Sequence, residues 1–286
     1  MNKILDSISI FGLGLIGGSF ALAVKDKFPD IKIYGIDQNQ GNAKKASELN
    51  LIDEIKSADD NEVLQSDLVI LAIPVSAIHD ILPQLLSDIS EKTVIIDAGS
   101  TKAMICQNVS HHPKRAQYVA AHPIAGTEYS GPEAAFPKLF EGKKNIICEQ
   151  RLSNEQAILY ADWLFKVVGM KTIYMDAEDH DKHLAYVSHL SHISSFMLGL
   201  TVLNIEKDEE NILNLAGSGF ASTVRLAKSS PDMWAPIFEQ NKSHLSKALD
   251  EYILQLQVFK ENLKTGNSEE MKSLMLKANQ IRKVLD

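Results

Sequence analysis

The chain of 286 residues is 45% hydrophobic and 23% charged, with 15 Gly and 9 Pro, which excludes collagen-like, coiled-coil and disordered compositions. At about 150 residues per domain, the length points to two domains. Its 29 basic and 37 acidic side chains leave a net charge of −8, so it gains no counterion-release affinity for phosphate backbones. Neither nucleic acid nor an anionic membrane surface is an expected partner.

The opening MNKILDSISIFG passes into a glycine loop without a cleavage site and does not read as a signal peptide. Apolar runs at Ser7–Phe11, Ile31–Ile36, Leu68–Ile73 and Thr93–Ile96 predict strands, and Gly14–Lys25 and Val75–Leu86 between them predict helices. That alternation implies right-handed crossovers and a parallel sheet. Further strands are expected at Gln117–Ala120, Asn145–Cys148 and Thr172–Met175, with a helix over Ser153–Val168. Cys106 and Cys148 show no C-x-x-C spacing and read as buried free thiols in a reducing compartment, which points to the cytoplasm.

After Met175 no further strand is predicted, and a helix starts at Asp176. The stretch Leu184–Ile205 carries no Asp, Glu, Lys or Arg and is long enough to span a bilayer. It also holds His189, His192 and four serines, costly in lipid, so a helix buried in a soluble protein is expected. Leu245, Leu249, Tyr252, Ile253, Leu256 and Leu263 recur at helical spacing, and Ser268–Leu285 predicts another helix. The expected division is therefore an α/β domain over 1–175 and an all-α domain over 176–286.

Gly12-Leu13-Gly14-Leu15-Ile16-Gly17 is a G-x-G-x-x-G motif that follows a strand and opens a helix. Gly12 allows the tight turn, Gly14 lets a pyrophosphate approach, and Gly17 permits close helix–strand packing. The first turn, at Leu15 and Ile16, offers free N–H groups to the phosphate. Asp37 closes the next strand, where a carboxylate accepts both ribose hydroxyls of NAD and repels a 2′-phosphate. Ile73-Pro74 and Asp97-Ala98-Gly99-Ser100-Thr101-Lys102 follow the next two strands and should line the cofactor crevice. Ser100 reads equally as a site residue or a helix N-cap.

His122, on the loop AHPIAGTE after the strand Gln117–Ala120 and flanked by Pro and Gly, is expected to have a fixed backbone and an exposed imidazole, which suits a general base near neutral pH; the alternative is a loop histidine that caps or packs. His180, His183, His189 and His192 fall along one presumed helix. Without a third ligand or an H-E-x-x-H they do not read as a metal site. His192 either projects into the cleft between the domains or is a hydrogen-bonded core residue. Only four arginines occur, and Arg225 follows Gly217-Ser218-Gly219-Phe220. Its guanidinium suits a substrate carboxylate or a surface ion pair.

Taken together, FGLGLIGGSFA, YGID, DAGSTK, AHPIAGTE, VSHLSH and GSGFASTVRLAKSSPDMW resemble the prephenate dehydrogenase family over nearly the full chain. The resemblance implies a Rossmann domain followed by a helical dimerisation domain, a homodimer, and oxidative decarboxylation of prephenate by NAD in tyrosine biosynthesis. It implies that His122 bonds the ring hydroxyl with Ser100 assisting, and that Arg225 binds a substrate carboxylate. His192, Thr127 and Glu128 then shape the pocket, with Trp234 nearby. Ser222 stands where relatives can carry an aspartate, which leaves Arg225 without an expected acidic partner. An arogenate dehydrogenase of the same fold is the alternative, and a non-catalytic NAD-binding sensor the more distant one.

Overall fold

The computed structural model describes residues 2–207 and 212–285. Met1 and Asp286, the outer ends of the two expected domains, lie outside them. Eight strands form one sheet: β1 (Ser7–Phe11), β2 (Lys32–Ile36), β3 (Glu54–Ile55), β4 (Leu68–Leu71), β5 (Val94–Asp97), β6 (Tyr118–Pro123), β7 (Lys144–Cys148) and β8 (Lys171–Met175). Their order is β3-β2-β1-β4-β5-β6-β7-β8. The chain reverses direction across the sheet between β1 and β4, so the loops after these two strands flank a crevice at their carboxyl ends.

The continuous apolar runs arise because helices cover both faces of the sheet. Ile8, Ile10, Leu68, Ile70, Val94 and Ile96 pack with Phe20 and Leu164, from the helices Leu15–Lys27 and Glu155–Val167. The alternate residues Phe11, Val69, Leu71 and Ile95 pack with Ile78, Leu82 and Ile105, from the helices Val75–Asp88 and Ala103–Asn108. Cys106 and Cys148 are buried free thiols in this second layer.

The sheet departs from the expected all-parallel arrangement. β7 runs antiparallel to β6, with Ala120 opposite Cys148 and Pro123 opposite Asn145. The connection between them holds only the short turn Pro132–Ala134 and no crossover helix, and a parallel return would have required a crossover. β8 then pairs parallel with β7. β3 was not predicted because its two residues carry no periodicity.

Beyond Met175 the described chain is helical. The helix Ala177–Leu184 passes through a π turn, Ala185–His189, into the helix Leu190–Glu206. The presumed single helix is therefore interrupted. In an unbroken α-helix, at about 100° per residue, His180 and His192 would stand about 120° apart. A π turn takes in one extra residue and brings them back to within roughly 20°.

The helices Ser218–Thr223, Pro231–Gln240 and Lys242–Thr265 follow. Gly266, at φ 67°, ends the last of these in the left-handed conformation. The expected helix Ser268–Leu285 is broken by a 3-10 turn at Asn279–Ile281.

The apolar helix expected to be buried is not buried within the chain. In Leu190–Glu206 only Ser195 is buried, while Met197, Leu200, Leu203 and Ile205 are 51%, 48%, 53% and 47% exposed. The stripe on Lys242–Thr265 likewise enters the core only at Leu245 and Ala248, leaving Ile253, Leu256 and Leu263 open. Among the described residues no helix is long and apolar enough to cross a membrane.

Candidate active site

The glycine loop has the geometry its sequence implies. Gly12 has φ +88°, and a Cβ there would collide with the carbonyl oxygen of Ala72. A Cβ on Gly17 would collide with the carbonyl oxygen of Gly12. Gly14 instead faces open space, its nearest neighbour being the Gly131 nitrogen at 3.9 Å. Gly14 is the N-cap of the helix Leu15–Lys27 and the cap carries no side-chain hydrogen bond. The first helical N–H groups, at Leu15, Ile16 and Gly17, have no partner in the preceding turn, and the geometry suits a phosphate.

Asp37 does more than border this crevice. Its Oδ2 accepts from Leu13 N–H at 2.9 Å and its Oδ1 from Asn39 N–H at 2.8 Å, so the carboxylate anchors the glycine loop. Each oxygen keeps a second lone pair for a ribose hydroxyl. Ile73, just after β4, brings its Cγ2 within 2.8 Å of where a Gly12 Cβ would lie. Pro74 is exposed at the start of the helix Val75–Asp88.

The loop after β5 is held from within. The buried Asp97 carboxylate accepts from Gly99 N–H at 2.9 Å, Tyr118 O–H at 2.8 Å and Ala121 N–H at 3.1 Å, and it pairs with the fully buried Lys102 ammonium. Lys102 also donates to the Ala121 carbonyl at 2.8 Å. The β5 loop is thereby fastened to the residue just before His122. Ser100 is not the helix cap it could have been, because the helix begins at Ala103 with Lys102 as N-cap. Asp181 caps it instead, accepting from Lys102 N–H at 2.8 Å and Ala103 N–H at 2.9 Å. Ser100 is left half-buried, on the loop whose strand pairs Asp97 with Ala120 beside His122.

His122 is not on an open loop but within β6, half-buried near its end, because the strand runs on to pair with β7 through Pro123; its Nδ1 lies 2.8 Å from His180 Nε2. His180 Nδ1 in turn is 2.7 Å from Asp181 Oδ1. Burial, reinforced by His180, Lys102 and His189, pushes the His122 pKa well below the ordinary histidine value. The ring is neutral at neutral pH and able to accept a proton. Burial also lowers His180 against the opposing pull of Asp181, and brings His189 down to about 4. His189 Nδ1 meets Asn241 Nδ2 at 3.1 Å.

His192 stacks on Trp234 with ring centroids 3.5 Å apart. Its Nδ1 donates to the Ser188 carbonyl at 3.0 Å, and burial lowers its pKa. Trp234 is itself 7% exposed and packed in the second core layer. Arg225 Nη1 donates to Glu128 Oε2 at 3.2 Å, so the acidic partner missing at Ser222 comes from the loop after β6. The exposed Thr127 hydroxyl accepts from Tyr129 N–H at 3.2 Å. Sequence reasoning passed over Asp181, weighed His180 only as a metal ligand, and named Lys102 only within a loop lining the crevice, whereas its side chain is fully buried against Asp97. The contacts that join Lys102 to Ala121, Lys102 to Asp181 and His180 to His122 span 19, 79 and 58 positions, beyond any local pattern.

The family model for the nucleotide-binding domain of prephenate dehydrogenase matches residues 20–174, and the model for its dimerization domain matches residues 176–277. Prephenate dehydrogenase of Bacillus subtilis is 33% identical over 95% of this chain and 74% of that protein. Cyclohexadienyl dehydrogenase of Zymomonas mobilis is 31% identical over 87% of this chain and 85% of that protein. The crystal structure of Aquifex aeolicus prephenate dehydrogenase, in complex with hydroxyphenyl propionate and NAD+, superposes over 100% of both chains with a TM-score of 0.91 and 32% identity. The glycine loop that opens the first helix, the histidine near the end of β6, and two matched domain models covering both halves agree: the chain belongs to the prephenate dehydrogenase family.

Proposed function

We propose that this protein catalyses the NAD-dependent oxidative decarboxylation of prephenate to 4-hydroxyphenylpyruvate and carbon dioxide, in tyrosine biosynthesis. The observation that carries this reading is the half-buried imidazole of His122 near the end of β6, held by His180 at 2.8 Å and kept neutral by its surroundings, in a strand paired with the one that leads into the Ser100 loop. The Aquifex relative was solved with NAD+ and hydroxyphenyl propionate, a phenol with a carboxylate-bearing side chain, which resembles the proposed product.

The residues present fit NAD. Open space at Gly14, the uncapped helix start at Leu15–Ile16 and the Asp37 carboxylate suit a pyrophosphate and a ribose diol, while Ile73 and Pro74 wall the crevice. When bound, NAD supplies the acceptor for the hydride from the alcohol carbon. His122 takes the hydroxyl proton, Ser100 helps to orient the hydroxyl, and Arg225 binds a substrate carboxylate. His192, stacked on Trp234, and the Thr127–Glu128 segment shape the rest of the pocket. The forming carbonyl draws electrons from the bond to the departing carboxylate, and the ring becomes aromatic. His122 then returns the proton to the phenol oxygen, so no net proton is released.

The same reading assigns a homodimer through the region after Met175, taken as the domain division. The half-exposed Met197, Leu200 and Leu203 lie in the segment that matches the dimerization model, and obligate dimer interfaces resemble a core cut in two.

Purified protein given NAD with prephenate or with arogenate, followed by NADH absorbance, tests the assignment. Turnover of prephenate is expected to exceed that of arogenate. Turnover of arogenate alone would replace the substrate, and no turnover with either would remove the catalytic reading.

A further inference from the structure

We propose that His180 and Asp181 are positioning residues for this reaction, forming with His122 a His–His–Asp chain whose tautomers leave the free lone pair on His122 Nε2. The inference rests on His122 being the proton acceptor, as argued above, but its geometry stands independently.

The chain is read from its fixed end. Asp181 is 1% exposed. Its Oδ1 accepts from Lys102 N–H and its Oδ2 from Ala103 N–H, backbone donors that can only be served by an acceptor. An ionised carboxylate offers only acceptors, so the His180 nitrogen 2.7 Å from it, Nδ1, carries the hydrogen. A neutral imidazole carries one N–H, which makes His180 Nε2 an acceptor. The contact between His180 Nε2 and His122 Nδ1 at 2.8 Å therefore requires the hydrogen on His122 Nδ1. His122 Nε2 is left bare, the state a base needs before it can take a hydroxyl proton.

The arrangement also serves the charged state. When His122 Nε2 takes the proton, the imidazolium keeps its Nδ1–H bond to His180, and the Asp181 carboxylate lies on the far side of that ring. His180 is 0% exposed, so bulk water does not compete for these contacts. The charged and titratable groups that bear on the pair are Lys102 and His189 at His122, and Asp181, Lys102 and Asp97 at His180. Because Asp181 also caps the helix after β5, one carboxylate fixes both the base and the loop bearing Ser100.

Two readouts test the chain. Nitrogen-15 NMR of histidine-labelled protein should find His122 protonated at Nδ1 and bare at Nε2. In Asp181→Asn an amide N–H can face His180 Nδ1 and reverse both tautomers. Its kcat should fall about 10²–10⁴-fold with little change in NAD affinity. The acidic limb of kcat should also move to lower pH, because the carboxylate that favours the imidazolium is gone. A role confined to holding the fold would lower activity without moving that limb.

His180→Gln keeps an acceptor for His122 Nδ1–H but breaks the link to Asp181. It should lose about tenfold in kcat with the same shift, and it decides the matter if Asp181→Asn does not fold. An Nε2–H tautomer of His122 in the unaltered protein would overturn the proposal. So would wild-type kcat and an unmoved limb in His180→Gln. Failure of the unaltered protein to turn over prephenate would refute the assigned function instead, with the NMR tautomers still deciding the chain.

Discussion

Arg225 and Glu128, 97 positions apart in sequence, meet at 3.2 Å between Nη1 and Oε2 and join the helical part to the loop after β6. Arg225 remains 51% exposed, so its guanidinium can turn to a second carboxylate. A substrate carboxylate must compete with Glu128 for it. Arg225→Ala should raise KM for prephenate roughly 30-fold or more and leave KM for NAD nearly unchanged. Glu128→Gln should lower KM for prephenate a few-fold, as an exposed ion pair is a weak competitor. Steady-state kinetics in both cofactor and substrate check this, and equal weakening of both ligands in Arg225→Ala would contradict it.

The Asp97–Lys102 pair is wholly buried and fastens the Ser100 loop to Ala121. Lys102→Met strands a carboxylate in the core and should cost about 3–5 kcal/mol in urea unfolding. Adding Asp97→Asn should recover part of that loss. A cost below about 1 kcal/mol would mean that the pair carries little of the local structure.

Asp37 holds Leu13 and Asn39 through backbone N–H groups and is the carboxylate expected to face the ribose. Asp37→Asn removes the like charge that opposes a 2′-phosphate. The ratio of kcat/KM for NADP to that for NAD should rise about tenfold or more. KM for NAD should also rise, since an amide has one acceptor oxygen for two backbone donors. Equal efficiency with the two cofactors in the unaltered protein would contradict the assigned preference.

The helix Leu190–Glu206 exposes Leu200 and Leu203 at 48% and 53%, so light scattering should give twice the 31.7 kDa chain mass. Leu200→Glu with Leu203→Glu should shift the species to a single chain by placing unpaired charges in an apolar interface. A single-chain mass for the unaltered protein at micromolar concentration would contradict the dimer.

Much of the fold is legible because strands such as Leu68–Leu71 are unbroken apolar runs buried on both faces. The glycine loop is legible because Gly12 and Gly17 answer local steric demands, while Gly14 leaves space at the helix start. Direction is less so: the antiparallel β7 depends on the absence of a crossover helix, not on the residues of the strand. The π turn at Ala185–His189 has no signature in hydrophobic spacing, yet it sets which histidines share a face. His122 and Arg225 stand out as isolated, chemically suited residues. Their partners His180 and Glu128 do not, because those contacts form only when distant segments fold together. The apolar stretch Leu184–Ile205 read as buried because an uncharged run in one sequence does not show whether its own chain covers it.

The most direct measurement is kcat against pH for the unaltered protein and for His122→Asn. Burial and its neighbours hold the His122 imidazole well below the ordinary histidine value. The rate should therefore stay flat through neutral pH and fall only as pH drops below the usual histidine range. His122→Asn keeps a hydrogen-bonding side chain but removes the titrating base. Its kcat should fall about 10²–10⁴-fold, NAD binding should persist, and the acidic limb should vanish. Near-normal kcat in that variant, or survival of the same limb, would place the base elsewhere.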